Sequence, residues 1–241
     1  MSISNQRVIA ESIQLMSEAV HEAAHAVVAR VLPSPFGHAQ RYRVRTLREI
    51  IENEEGARSY IVSDHKYSIG DIGAAYRQGD RTQIRKVVRQ VYKNCIVMMA
   101  GHVADTIFLS ASWTADDRFD RFWDGVSYCI NEKDWRTPTY GDDDWVALYL
   151  ATIVVNEYGH LNEFRLNAIT RGLYHITHRA VEKNWWCIKA VAGNSIYTDS
   201  ISPDSVNYLI DRLAIGCRRT TRAGRSHPLA RSIPEFSRLH Q

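Results

Sequence analysis

His21, Glu22 and His25 form an H-E-x-x-H motif within the stretch Ser17 to Leu32, SEAVHEAAHAVVARVL. Two histidines four apart lie one above the other on a helix face, so both imidazoles can reach a single ion. Neutral imidazoles suit Zn²⁺, and a glutamate beside them can take a proton from water that the metal activates. Set mid-helix among Ala and Val, the two rings have no polar neighbour in the local sequence, and a metal would satisfy them. The competing reading is a pair of histidines hydrogen-bonded at a half-buried surface.

The helix that must carry the motif is legible in its apolar spacing. Ile13, Met16, Val20, Ala24, Val27 and Val31 recur at steps of three and four, which turns one stripe toward a core, and Pro33 stops the helix. A second long helix is expected over Thr82 to Leu109, with Ile84, Val87, Val88, Val91, Cys95, Met98, Met99, Val103 and Ile107 on a broad face. Asp105 lies on it, and a carboxylate beside such a stripe needs a partner. Between the two, Arg41 to Thr46 and Arg58 to Ser63 read as strands of a small sheet. An edge strand there would hold an extended substrate beside the motif helix, or simply close one side of the core.

Ser110 to Tyr140, with Trp113, Trp123 and Trp135 among charged residues, reads as an irregular insert: a lid, a partner surface or a packed excursion. Asp142, Asp143 and Asp144 precede an apolar helix from Trp145 to Val155, where they can cap the N-terminus or supply an oxygen ligand. Further helices are expected over Leu161 to Glu182, Trp185 to Val191 and Ser202 to Ile215, the last announced by Ser202 and Pro203. His175 and His178 are three apart, but with Glu182 as the one acid nearby they read as surface or core residues rather than a second metal pair.

The 241 residues suffice for one sizeable core, and the expectation is one domain over 1–216, with the 110–140 insert, followed by a basic tail over 217–241. No apolar run approaches the length of a membrane span and no signal-peptide pattern opens the chain, so a cytoplasmic protein is expected. Cys95, Cys129, Cys187 and Cys217 are widely scattered, as reduced thiols would be, and no C-x-x-C suggests a cysteine-zinc site. The net charge is +3, but the tail alone carries +5 and the body −2, so the basic balance belongs to a solvated end and not to a groove for nucleic acid. No nucleic-acid partner is expected.

Three stretches together resemble the peptidase domain of the FtsH-type ATP-dependent zinc metalloprotease family: AVHEAAHAVVARVL at 19–32, MMAGHVADTIF at 98–108 and DDDWVALYLA at 142–151. The closing NWWCIKAVA and SISPDSVNYLI are similar to that family's last helices. The resemblance implies a mainly α fold with a small β-sheet (α+β), zincin-like, and a zinc metalloendopeptidase acting on protein or peptide substrates. It makes His21 and His25 the zinc histidines, Glu22 the catalytic base and Asp143 the third ligand, which Val146, Ala147, Leu150 and Ala151 bring into register. Asp105 falls on the family's AGR-x-A-E glutamate, which implies a carboxylate that supports a zinc ligand from behind or serves the structure. Ala24 replaces the family's glycine, His102 its arginine, and the stretch before Asp143 is longer. Nothing resembles the family's G-x-x-x-x-G-K-[ST] loop, so limited, ATP-independent proteolysis is expected, with a homo-oligomer or a separate ATPase as further partners. The alternative is a catalytically silent, peptidase-like binding or regulatory module.

Overall fold

A computed structural model describes residues 3–32, 39–44, 60–63, 69–110, 112–132, 136, 142–197 and 202–214, with the backbone alone described at 3–8, 39–43, 60–63 and 142–143. The basic tail lies outside these residues. Eight helices fill most of them: α1 (Ile3–Val31), α2 (Ile69–Gln78), α3 (Arg81–Leu109), α4 (Ala115–Asn131), α5 (Asp142–Tyr158), α6 (Glu163–Lys183), α7 (Trp185–Tyr197) and α8 (Pro203–Leu213). The class is therefore mainly α, and the α+β assignment is corrected. The sole extended pairing among the described residues is an antiparallel ribbon of β1 (Ala39–Arg43) and β2 (Tyr60–Ser63), with an irregular register between Ala39 and Arg41. Two strands of five and four residues form no sheet layer on which a core could be built.

The chain divides into two compact units whose segments interleave along the sequence. The first comprises the described residues of Met1–Asp64, Ala100–Ser112 and Ala180–Cys217. Here α1 packs on α7 and α8, and the ribbon lies against α1 and α8. Ala19, Ala23, Ala24, Val27 and Val28 are fully buried or nearly so, and they meet a core to which Val103, Ala104, Ile188, Val191, Val206 and Ile210 also belong. The small alanines let neighbouring helices approach closely. Ile13, expected on this stripe, is instead 47% exposed, like Ile9 one turn earlier at 48%, and the buried part of α1 begins at Leu15. At the other end of α1, Arg30 grips Asp211 of α8 through Nε to Oδ1 and Nη2 to Oδ2, both at 2.9 Å. Ser202 caps α8 by accepting from the Ser205 amide, and Pro203 occupies the first turn, where no amide donor is needed.

The second unit comprises the described residues of His65–Met99 and Trp113–Arg179. Helix α2, which alternation and length do not announce, buries Ile72 and Ala75 against α5 and stops at Gly79, whose φ of +70° favours glycine. The stretch read as an irregular insert contains α4. Thr114 and Asp117 close a capping box at its start, and Phe119, Phe122, Val126, Cys129 and Ile130 supply a buried stripe. The dense charges between those apolar positions obscure a pattern that is helical in period. Helix α4 packs on α5, and Tyr174 of α6 meets Phe119 and Phe122 with ring centres 5.5 and 5.4 Å apart.

Candidate metal and catalytic site

The H-E-x-x-H residues lie in the second half of α1, in the first unit. His25 and Glu22 are buried, at 6% and 8% exposure, while the His21 side chain keeps 28%. The two rings stand edge to face with centres 4.7 Å apart. Their spacing is what one helical turn produces when both side chains lean toward the helix N-terminus.

The last turns of α3 supply the surroundings of His21. Asp105 Oδ2 lies 2.6 Å from His21 Nδ1, and Ser17 Oγ donates to Asp105 Oδ1 at 3.1 Å. A carboxylate on Nδ1 assigns that nitrogen a proton, so in the neutral ring the lone pair lies on Nε2. Gly101, one turn before Asp105, makes room for the ring. A Cβ at Gly101 would fall 2.5 Å from His21 Cε1, 2.6 Å from Cδ2 and closer still to Nε2. Near-equal distances to three ring atoms place that point over the imidazole face, so the ring lies flat on the glycine.

This arrangement corrects one step of the sequence argument. His21 does have polar neighbours, Asp105 and Ser17, both brought by the fold and not by the local sequence. Orphaned imidazoles therefore give no reason for a metal. The donor set gives a different one. An ion about 2.0–2.1 Å from a nitrogen of each imidazole would stand roughly 3.2 Å from each ring centre, so rings sharing it would have centres roughly 5 Å apart. The observed 4.7 Å fits. The carboxylate behind His21 is the partner that ligating histidines habitually have.

The two imidazoles thus stand one turn apart at a separation that sharing an ion would allow, with Glu22 next to His21 in the chain. Among the described residues, no three His, Cys, Asp or Glu side chains gather as a metal-holding group. Asp143 belongs to the second unit, and its side chain lies outside the described residues. Its neighbour Asp144 is buried at 4% exposure and accepts a hydrogen bond from the Cys129 thiol, so this member of the acidic run is engaged within the second unit. The carboxylate that does meet the motif is Asp105, on Nδ1 of His21.

The other titratable candidates resolve into structural roles. His178 is buried at 5% exposure and takes a hydrogen bond from Arg118 Nη1 at 2.9 Å. His175 stacks over Phe119 and faces Asp116 Oδ1 at 3.5 Å. Burial pushes the Cys187 thiol up to about 11 and the Cys95 thiol higher still, which leaves both protonated and poor metal ligands at neutral pH. Ser17 and Gly101 are the residues of the site that sequence reading passed over. Their signal was the fourfold step: Ser17 precedes His21 by one turn, and Gly101 precedes Asp105 by one turn.

No helix among the described residues is long and apolar enough to cross a membrane. No family model matches this chain, and no curated protein or solved structure does so either.

Proposed function

We propose that this protein is a zinc-dependent metalloendopeptidase of the cytoplasm that cuts exposed segments of polypeptides without ATP. The observation that supports it best is the pair of adjacent imidazoles, 4.7 Å between ring centres, with the Asp105 carboxylate 2.6 Å behind His21. His21 and His25 would hold the metal, with Asp143 as third ligand by the resemblance of DDDWVALYLA. Zn²⁺, when bound, supplies an acidified water and polarises the scissile carbonyl. Glu22 takes the proton from the attacking water and returns it to the departing amine. Glu22 is buried, at 8% exposure, beside the two imidazoles. Asp105 stabilises the positive charge that His21 acquires on donating its lone pair. Substrates enter as extended segments, since folded domains offer none without being pulled open; a separate ATPase would supply that pull in trans.

One observation favours a second reading, a silent binding module: Glu22 and His25 are both largely withdrawn from solvent, at 8% and 6% exposure. One experiment decides between them. Zinc content is measured alongside cleavage of a peptide library by wild type and Glu22→Gln. The peptidase reading expects zinc to be retained in the variant while turnover falls by at least roughly a hundredfold. Equal turnover in the two, or none in a zinc-loaded wild type, selects the binding module.

A further inference from the structure

We propose that Ser17 is a positioning residue for His21, acting through Asp105, and that it makes His21 the tuned member of the imidazole pair; this rests on reading His21 as a metal-binding imidazole. An aspartate held at one oxygen can still swing about its Cβ–Cγ bond, so a single contact to Nδ1 would fix neither the carboxylate nor the ring. Here both oxygens are engaged, Oδ2 by His21 Nδ1 at 2.6 Å and Oδ1 by Ser17 Oγ at 3.1 Å. Ser17 and His21 sit one turn apart on α1, and Gly101 and Asp105 one turn apart on α3. The four residues form a closed square. Gly101 bounds the face of the His21 ring, Asp105 its Nδ1 rim, and Ser17 the far side of the carboxylate.

A mid-helix serine commonly turns its hydroxyl back to the carbonyl four residues earlier. Ser17 reaches instead across 88 positions of sequence to a carboxylate. Two effects on His21 follow. The Nδ1–H tautomer is enforced, and the negative charge behind the ring strengthens the Nε2 lone pair. Removing the hydroxyl frees the carboxylate to rotate, and the ring loses both.

The test uses the full chain and two readouts. One is the ring ¹⁵N signature of His21 in metal-free protein at about pH 8, above the usual histidine range. The other is the dissociation constant for Zn²⁺ itself, measured by chelator competition. Ser17→Ala should give a mixed-tautomer signature and bind Zn²⁺ about tenfold more weakly, the lower end of the range for such supporting partners. Ser17→Thr, which keeps the hydroxyl, should restore both, and Asp105→Asn should exceed Ser17→Ala in both. A Ser17→Ala protein with wild-type ring signature and wild-type zinc affinity overturns the proposal, even if it melts earlier, since that outcome marks a merely structural link. Should Ser17→Ala fail to fold, wild-type readouts in Asp105→Asn overturn it equally. If wild type binds no Zn²⁺, the metallopeptidase reading fails on its own, while the ring signature still decides the role of Ser17.

Discussion

His21 in the first unit and His178 in the second each meet a charged side chain, and the sign of that charge separates what the two rings can do. Asp105 accepts from His21 Nδ1, which makes the ring a donor at one nitrogen and leaves the lone pair at the other. Arg118 can only donate, so its 2.9 Å contact uses the lone pair of His178 Nε2. The first ring keeps a side-chain exposure of 28%, whereas the second residue is 5% exposed. A histidine beside a carboxylate at the edge of a core is equipped for chemistry. A histidine under an arginine inside one serves as packing with a polar tip.

The largest effects that sharpen this contrast come from truncating each ring. His21→Ala should weaken zinc binding by at least roughly a hundredfold, with little change in melting temperature, since a part-exposed ring is lost. His178→Ala should do the reverse: zinc affinity stays unchanged while stability falls by about 2 kcal/mol, because a buried guanidinium loses an acceptor and a cavity opens. Zinc titration and denaturant unfolding of both variants measure this, and a matching pattern in the two would break the comparison. Next in size is Gly101→Ala. The added methyl would overlap the His21 ring, so the ring must swing away from Asp105, costing about 1–3 kcal/mol of stability together with zinc affinity. Retained affinity would show that the ring plane is not set by α3.

The smallest effect concerns the rest of the first unit. Burial holds the Cys187 thiol near 11, above its ordinary value of 9.0. Between those values the unfolded thiol is ionised and the folded one is not, so unfolding releases a proton and stability falls as pH rises. Unfolding of wild type and Cys187→Ala from pH 8 upward should show a steeper alkaline decline in wild type. Parallel curves would mean that the thiol ionises as readily folded as unfolded.

The long apolar helices were legible: α3, α6 and α8 lie within two residues of their expected bounds, while α5 and α7 run longer than expected and α1 begins at Ile3, well ahead of the expected stripe. Helix α4 was not, although Thr114-x-x-Asp117 is a capping signal, because Asp116, Arg118, Asp120 and Arg121 crowd the first two apolar positions of its stripe, Phe119 and Phe122. The small sheet was an overextension of two short alternating runs, which suffice only for a ribbon. Within the site, His21, Glu22 and His25 declare themselves by local spacing. Asp105 stood out as a carboxylate on an apolar stripe in want of a partner, and by resemblance, but the partner itself was not legible; Ser17 carried only its fourfold step to His21, since a hydrogen bond across 88 residues leaves no local trace. The Arg118–His178 contact, 60 residues apart, is hidden for the same reason.

The interleaving of the two units also sets an order in time. Helix α1 is made before the residues it meets: Asp105 follows His21 by about 80 residues and α7, on which α1 packs, begins only at Trp185. At synthesis rates of about 5–20 residues per second, the Val20, Ala23 and Val27 face waits roughly 8 to 30 s for that cover. The nascent chain therefore carries a complete H-E-x-x-H sequence long before it carries the fold that orients it. The apolar face of α1 is thus uncovered in the nascent chain until the helix that buries it has been made.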